Sequence, residues 1–407
     1  MVRYWFSEHP LAEKFCRWGE EHIRSTAIVR EKARHFDLDL WAKLAEAGFF
    51  KILVPRELGG EGLEARDYLS ALAGLAKGSM DLPFLLSVAA HGGASIALLN
   101  AYGSPKQKKL YLPEMAQGRR IGALCNAEEN AGTDILGIRS RFEWTNETEG
   151  TLHVNKPIIS NVSCAGLLFV SAWCPPRNGI GKPKIEVFAI PEGKAVIQKS
   201  QINLAGFLTG ATGSLEISGL PISYQENRIG EGVSGLTVLK YCFALERVII
   251  STLISATLTA LLESALQHIT SQKSFGKPIS DYQYIQEKVL RIFGSAARID
   301  SYVWRLLSDP GLSRINGFPT EDIFLSDLKL MAVHEGFDAT RSFFEIFGGK
   351  GYSENHLAQK VLRDMLGFKA LGGTEEQQRI VIFQNLLNSM QNELGESHVK
   401  EPNRRTG

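Results

Sequence analysis

The 407-residue sequence predicts an α+β protein, in which a helical N-terminal region, a central β region and a second helical region follow one another. Three observations predict this order. Apolar residues recur at helical spacing up to about residue 120, short β-type runs follow up to about 232, and helical spacing then returns. Segregated helices and strands are typical of α+β folds rather than of alternating βαβ units. We expect domains over 1–120, 121–232 and 233–394, and a polar, flexible tail over 395–407.

Each region has its own pattern. In the first, Leu40-Trp41-Leu44-Ala45 and Leu69-Leu72-Leu75 have the spacing of amphipathic helices. In the second, Gly and Pro clusters separate β-type runs at Thr151–Val154, Leu167–Ala172, Ile185–Ile190 and Ser214–Ile217. The third has a charge-free stretch at Val248–Leu262, which is shorter than the roughly 20 residues of a membrane helix and therefore predicts a buried core helix.

Composition narrows the classes of function. Lys plus Arg (45) nearly balances Asp plus Glu (44), so no charge excess predicts a nucleic-acid or membrane partner. The five cysteines are scattered, which favours free thiols over a disulfide framework. The first fifteen residues contain no apolar core of signal-peptide length, and we expect a cytoplasmic protein.

Two motifs suggest chemistry that their context does not support. Gly230-Glu-Gly-Val-Ser-Gly235 matches a dinucleotide-binding GxGxxG, but a long helical pattern follows it and no second strand appears, so we interpret it as the turn before a helix. His334-Glu335 begins like a zinc-protease motif, yet position 338 is Asp and the second histidine is missing. We therefore expect no metal site.

Four segments, in order along the chain, resemble the acyl-CoA dehydrogenase family. The first two are Pro55-Arg-Glu-Leu-Gly-Gly60 and Tyr102-Gly-Ser-Pro-Lys-Gln107. The third, Cys125 to Asp134, is similar to the family's loop before its β domain. The fourth combines Phe347-Gly-Gly-Lys-Gly-Tyr352, Arg363-Asp364 and Gly373-Thr374.

This resemblance implies a fold and a chemistry. The fold has an N-terminal helical domain, a middle β domain and a C-terminal four-helix bundle, with FAD between the last two, usually in a homotetramer. In the family, a carboxylate takes the α-proton of a thioester while the β-hydride leaves for flavin N5. Such a base works best when burial raises its pKa toward the operating pH.

The resemblance also implies which residue is the base. Many members place the carboxylate directly before the C-terminal Gly-Thr, where this chain has Gly372. A branch that resembles the isovaleryl- and long-chain-type enzymes places it before an Arg on the first bundle helix, where this chain has Glu246-Arg247 in an apolar run. We therefore expect Glu246 to be catalytic and the Gly372 backbone N–H to bind the thioester carbonyl. A surface ion pair is the alternative role for Glu246.

The remaining site residues are implied by the same resemblance. Arg247 and Thr133 are expected to contact the substrate. The residues expected to bind the cofactor are Glu128, Thr133, Ser160, Gln272, Phe275, Gln283, Gly348, Gly349, Thr374 and Glu376.

Three positions depart from the family pattern. Gln272 replaces an Arg that reaches the FAD pyrophosphate across a subunit interface, Ala127 replaces a Thr beside the flavin, and Ala244 replaces an Asp of the substrate channel. These departures, and a resemblance to prolyl-carrier dehydrogenases, favour an aminoacyl, prolyl or acyl group on a carrier protein, and hence a biosynthetic role, over an acyl-CoA.

The electron acceptor is open between an electron-transferring flavoprotein and O₂. Two other functions fit the same fold. One is a flavin oxidase or monooxygenase that uses O₂ directly, and the other is a scaffold that has lost its chemistry. Glu246 argues against the scaffold, because a lost base has no reason to reappear at the alternative position.

Overall fold

A computed structural model of the chain describes residues 4–129, 131, 134–320 and 322–399. The α-helices are α1 (Pro10–His22), α2 (Ala27–Ala33), α3 (Leu38–Glu46), α4 (Ala65–Ser79), α5 (Leu82–Ala89), α6 (Ala97–Tyr102), α7 (Pro105–Ala116), α8 (Tyr224–Asn227), α9 (Gly235–Ser271), α10 (Gln283–Ser308), α11 (Asp322–Ile346), α12 (Leu357–Gly367) and α13 (Glu375–Val399). A π-helix over Ala90–Ile96 joins α5 to α6.

The strands are β1 (Gly122–Cys125), β2 (Arg141–Trp144), β3 (Glu149–Ile159), β4 (Leu167–Cys174), β5 (Lys184–Pro191), β6 (Ile197–Gln201), β7 (Gly213–Ser223), β8 (Arg228–Ile229), β9 (Lys273–Ser274), β10 (Lys277–Pro278), β11 (Arg314–Ile315) and β12 (Phe318–Pro319). The expected order of helices, strands and helices is confirmed. The boundaries predicted at 120 and 232 fall between α7 and β1 and between β8 and α9. The tail predicted from residue 395 begins inside α13, and residues 400–407 lie outside the described part.

Helices α1 and α4 form the centre of the N-terminal region. Glycines allow their backbones to approach closely, since a Cβ atom at Gly74 or Gly78 would lie 2.1 Å from the carbonyl oxygen of Ala12 or Cys16. Helix α4 also packs against α9, so the N-terminal region rests on the bundle.

Strands β1 to β8 form one mixed sheet. Its order is β6-β7-β3-β2-β4-β5-β8, and β1 pairs with β4 in parallel. Alternate side chains of β3 are buried, as expected for a strand with one face in a core, whereas β4 and β5 are buried almost throughout. The sheet has a core of its own, separate from the large core that the helices share.

Helix α9 organises the C-terminal region. It is apolar on all sides and largely buried, and it packs against α10 and α11, while α13 packs against α11. This is the four-helix arrangement that the family resemblance implied. Ser234 caps α9 by accepting a hydrogen bond from Thr237 N at 3.2 Å, and Gly230 and Gly232 precede it with φ of 87° and 80°. The GxGxxG motif is thus a turn that leads into a helix.

Two helical stretches, Leu82–Tyr102 and Gly235–Ser271, have the length and hydropathy of membrane spans, with 89% of the most apolar window of each buried inside the protein. That burial is typical of core helices, and length and composition alone are weak evidence for a span. All five cysteines are free thiols. Within the described ranges, no group of three or more His, Cys, Asp or Glu side chains could hold a metal ion.

Candidate active site

A cavity of about 340 Å³ lies where the three regions meet. Its volume is within the range of small-molecule sites, roughly 300–1,000 Å³. Helix α5 and the π-helix contribute the apolar residues Leu86, Ala89, Ala90 and Ala94. The β region contributes Leu124, Asn126, Ala127 and Ile158 to Ser160, and the C-terminal region contributes residues of α9, α13 and the turn over 370–374.

Glu246 lies in the cavity wall, on the face of α9 that also carries Phe243 and Ile250. The carboxylate is surrounded by protein, and this burial raises its pKa to about 7, against the lowering effect of the positive charges of Arg247 and Lys329. A carboxylate that titrates near neutral pH can both accept and release a proton under physiological conditions.

Gly372 faces Glu246 from the turn after α12. Its φ is +65°, and a Cβ atom built on it would lie 3.9 Å from Glu246 Oε2. A carboxylate at either position would therefore reach the same part of the cavity. This proximity explains in physical terms why a chain with Glu at 246 can have Gly at 372.

Two cations accompany Glu246 along α9. Arg247 is buried and lines the cavity, and Lys240 is an exposed lining residue about two helical turns before Arg247. Among the described lining residues, Glu246 is the only carboxylate. The wall thus offers positive charge, apolar surface and one titratable acid.

The Glu128 side chain is directed into the β region instead of the cavity. Its carboxylate accepts hydrogen bonds from Arg139 N at 2.6 Å, Ser140 N at 3.1 Å, Ser140 Oγ at 2.6 Å and Lys156 Nζ at 2.7 Å. Lys156 is fully buried and also donates to Asn126 O at 2.9 Å. This ion pair supports the segment over 126–128 from behind, so a contact of Glu128 with a cofactor would come through its backbone.

Ser160 and Thr374, which were predicted to bind the cofactor, both line the cavity. The Ser160 hydroxyl has no hydrogen-bond partner among the described residues, and Thr374 Oγ1 accepts from Gln377 N at 3.4 Å. Thr133, predicted for both substrate and cofactor, lies outside the described residues. Glu376 is on the first turn of α13 with its side chain 76% exposed, outside the cavity wall.

The remaining predicted cofactor residues lie on the surface at the far end of the bundle. Gln272 directly follows α9 and is about 26 residues beyond Glu246, which is roughly 39 Å along a helix. Phe275 is 96% exposed at the turn between β9 and β10, and Gln283 begins α10. Gly348 and Gly349 are also exposed, with open space where a Cβ atom would be. Within one chain, the structure does not bring this group to the cavity.

Sequence reasoning missed several residues of the site. Helix α5 and the π-helix form one wall, and sequence reasoning assigned no role to their residues. Lys329 and Gln378 hold the turn over 372–373 from behind, through hydrogen bonds to its carbonyl oxygens. A signal for Lys329 was present, because it occupies the apolar stripe of α11 formed by Leu325, Leu328, Ala332 and Val333.

With this geometry established, the chain can be compared with known proteins. It matches the family model "Acyl-CoA dehydrogenase, N-terminal domain" over residues 7–119 and "Acyl-CoA dehydrogenase, C-terminal domain" over 233–387. It is 25% identical to mitochondrial isovaleryl-CoA dehydrogenase of Oryza sativa subsp. japonica, over 93% of this chain and 91% of the relative. It is 26% identical to the L-prolyl-[peptidyl-carrier protein] dehydrogenase of Pseudomonas fluorescens, over 92% of this chain and 94% of the relative.

Solved structures of other proteins share the fold of this chain. The prolyl acyl carrier protein oxidase AnaB superposes with a TM-score of 0.84 at 25% identity, over 92% of this chain and 97% of AnaB. The FAD complex of PigA superposes with a TM-score of 0.83 at 22% identity, over 95% of this chain and 99% of PigA.

The chain belongs to the acyl-CoA dehydrogenase family. Its members are FAD-dependent oxidoreductases that act on the CH–CH bond of acyl thioesters, and the prediction of such an enzyme is confirmed at that level.

Proposed function

We propose that this protein desaturates an acyl thioester between its α- and β-carbons with FAD as cofactor, and that Glu246 takes the α-proton. The observation that carries this proposal is the pairing of Glu246 with Gly372, 3.9 Å from Glu246 Oε2 to a Cβ atom built on the glycine. A proton acceptor and a backbone donor thereby border the same end of one cavity.

Glu246 supplies the base. A thioester carbonyl acidifies the hydrogen on its α-carbon, but a positioned base is still needed to remove it. With a pKa of about 7, Glu246 is substantially ionised at neutral pH and remains basic enough to accept this proton. Ile249 and Ile250 on the same helix line the cavity and exclude water from the carboxylate.

The Gly372 N–H supplies the complementary donor. It has no acceptor among the described residues, so it is available to the thioester carbonyl oxygen. Negative charge develops on that oxygen as the α-proton leaves, and a fixed donor stabilises the charge without reorganisation.

The cavity fits the flavin ring on the side of the β region. Ala127 leaves space, and the Ser160 hydroxyl and Thr374 offer polar groups at the wall. The chemistry that bound FAD supplies is acceptance of the hydride from the β-carbon. The Lys156–Glu128 pair keeps the segment over 126–128 in place beneath this site.

The other end of the cavity fits an uncharged acyl group. Leu86, Ala89, Ala90 and Ala94 offer no polar side chain, and a cationic prolyl group would meet Arg247 and Lys240 with Glu246 as its only counter-ion among the described lining residues. The cationic amine of a prolyl substrate would thus compete with the α-proton for the Glu246 carboxylate. We propose that the substrate is an uncharged acyl thioester on a carrier protein or CoA, which present the same pantetheine arm.

Flavin absorbance under anaerobic conditions tests the substrate. The panel contains butyryl-, isobutyryl- and isovaleryl-CoA, the same acyl groups on a carrier protein, and a prolyl-loaded carrier. Bleaching by acyl groups only on the carrier assigns a carrier-bound substrate, and bleaching by the CoA esters assigns an acyl-CoA. Bleaching by the prolyl carrier alone contradicts the uncharged acyl group.

Substitution tests the base. Glu246→Gln should keep its FAD and lose at least about 100-fold in the rate of flavin reduction, since general bases contribute roughly 10²–10⁴. Glu216→Gln, on the exposed side of β7, serves as the control and should reduce at the wild-type rate. Near-normal reduction in Glu246→Gln would remove the residue from the mechanism.

A second candidate differs only in the electron acceptor. AnaB, at 25% identity, is described as an oxidase, and this favours direct use of O₂ as the alternative to an electron-transferring flavoprotein. Stoichiometric H₂O₂ during aerobic turnover without an added acceptor would establish the oxidase. A requirement for an added acceptor would establish the dehydrogenase.

We also propose that the protein is a homotetramer. The surface group Gln272, Phe275, Gln283, Gly348 and Gly349 lies too far from its own cavity to serve it. In an oligomer, the same group could border the cofactor of a neighbouring copy, and the exposure of Phe275 fits such a contact.

A further inference from the structure

Lys329 is a buried lysine within the stripe of α11 that carries Leu325, Leu328, Ala332 and Val333. Its side chain is fully buried, and burial lowers its pKa to about 8. Among the described residues, no carboxylate oxygen lies within 4.0 Å of Nζ, and the hydrogen bond recorded for Nζ goes to the carbonyl oxygen of Gly373. A buried ammonium group without a paired acid is costly, so its position calls for an explanation.

That hydrogen bond holds the turn that faces Glu246. Gly372 and Gly373 both have positive φ, at 65° and 82°, and glycine adopts such values readily. Gln378 Nε2 adds hydrogen bonds to Gly372 O at 3.0 Å and Gly373 O at 3.3 Å. Lys329 and Gln378 therefore fix the turn from the side away from the cavity.

Lys329 itself is outside the cavity. Gly372, Gly373 and Glu246 line the wall, whereas Lys329 does not. Lys329 affects the site only through its hydrogen bond to Gly373 O and through its charge.

The charges around Lys329 and Glu246 come from two helices and one turn. Helix α9 provides Glu246, Arg247 and the Cys242 thiol, α13 provides Glu375, and the turn after α12 provides Lys369. Glu375 is engaged by Lys369 and by Arg379, so its charge is largely neutralised. Lys329 and Arg247 then act as the positive charges that favour an ionised Glu246.

We propose that Lys329 is a positioning residue for the reaction: its ammonium group holds the Gly372–Gly373 turn against Glu246 and keeps that carboxylate ionised before the substrate arrives. Without it, the turn would lose a donor and the base would hold its proton to higher pH. The inference rests on the proposed function of Glu246 and adds to it a residue that never touches the substrate.

The test is an infrared titration of the FAD-loaded protein without substrate. The carboxylic-acid band of Glu246 is identified by its loss in Glu246→Gln, which also separates it from Asp300, whose pKa burial raises to about 7 as well. The wild-type midpoint is expected near pH 7. Lys329→Met and Lys329→Gln should raise it by at least about half a unit, since a nearby opposite charge shifts a pKa by roughly 1–3 units.

Two variants separate charge from contact. Lys329→Arg keeps the charge and should leave the midpoint within about 0.2 units of wild type. Gln378→Leu removes the neighbouring donor without changing charge and should also leave the midpoint unchanged, while slowing flavin reduction by weakening the turn. The pH profile of flavin reduction should move with the midpoint in both neutral Lys329 variants.

An unchanged midpoint in a folded, FAD-loaded Lys329→Met or Lys329→Gln overturns the proposal. If both neutral variants fail to fold while Lys329→Arg folds, the lysine belongs to the fold alone and the proposal is also overturned. These outcomes differ from a failure of the proposed function, in which Glu246→Gln reduces its flavin normally whatever happens at Lys329.

Discussion

At the scale of single residues, the raised pKa of Glu246 predicts the pH dependence of the reaction. The base must be ionised, so the rate of flavin reduction should rise about tenfold per pH unit below 7 and level off above it. Stopped-flow absorbance between pH 5.5 and 8.5 measures this. A profile that is flat through pH 7 would contradict the assignment of Glu246 as the base.

The same pKa has the opposite effect on stability. A carboxyl group whose pKa is raised by folding stabilises the native state while protonated, and this contribution is lost as the pH rises from the unfolded-state value through 7. Glu246→Gln cannot ionise, so it should be more stable than wild type at pH 8 and nearly equal to it at pH 4. Urea unfolding at the two pH values would show the difference.

The contact between Gly372 and Glu246 predicts that the base can be moved. Glu246→Gly should be inactive. Adding Gly372→Glu should raise the rate of flavin reduction at least about tenfold above that of Glu246→Gly. Recovery should be partial, because a side chain with φ of +65° costs about 1–2 kcal/mol and its Cβ would lie 3.1 Å from Ile250 Cδ1. Glu246→Gly with Gly373→Glu is the matched control, and equal recovery there would contradict the proposed geometry.

Sequence reasoning could find Glu246, because a lone acid in an apolar helical run is unusual and Gly372 occupies the alternative position. It could not establish that the two residues meet, since their distance depends on a left-handed turn between α12 and α13. The apolar stripe of α11 could have indicated that Lys329 is buried, but not what it binds, because its contact is to a backbone carbonyl that no side-chain pattern reveals.

At the scale of elements, α13 exposes an apolar face. Ile380, Phe383, Leu386, Leu387 and Met390 are between 39% and 66% exposed and recur at helical spacing. A contiguous exposed apolar patch of this kind marks an interaction surface. The exposed residues Gln272, Phe275, Gln283, Gly348 and Gly349 of the bundle also lie far from the cavity of their own chain. We therefore expect another copy of the chain to cover the apolar face of α13.

Phe383→Asp should therefore reduce the oligomeric state, since it places a charge in the centre of this face. Light scattering coupled to size exclusion measures the mass. Gln384→Asp, one residue along on an exposed polar position, introduces the same charge and should leave the mass unchanged. If Phe383→Asp keeps the wild-type mass, the face does not form the contact.

The periodicity of the sequence predicted some of the strands and helices and missed others. The four β-type runs correspond to parts of β3, β4, β5 and β7, and the charge-free stretch lies within α9. Strands β1, β2, β6 and β8 are short and were not predicted, because strands of two to five residues carry too few alternations to be recognised. The π-helix was not predicted either, since its widened turn has no distinct sequence period.

At the scale of the whole molecule, a buried ionic network joins the three regions. Asp81 accepts from Arg30 at 2.5 Å and from Lys360 at 3.0 Å, and Lys360 also contacts Asp364 at 2.7 Å. The backbone N–H of Phe207, in the β region, donates to Asp364 at 2.8 Å. Sequence reasoning could not predict this network, because its members are far apart in the chain and meet only when the regions dock.

Lys360→Met should destabilise the protein by about 3–5 kcal/mol, since it leaves two buried carboxylates without their shared cation. Guanidinium unfolding followed by circular dichroism measures this. Lys43→Met, at an exposed position of α3, controls for loss of a lysine and should change the free energy of unfolding by less than about 0.5 kcal/mol. An effect as small as that of the control would show that the network contributes little to the free energy of unfolding.

The cavity draws its walls from α5 and the π-helix, from the β region, and from α9, α13 and the turn between α12 and α13. A fragment that lacks any one of the three regions lacks one of these walls, so a truncated protein of that kind should be colourless. Visible yellow colour then reports more than the presence of a prosthetic group. It shows that every region has folded and docked, and it allows a library of variants to be screened for complete assembly by eye, before a substrate is known.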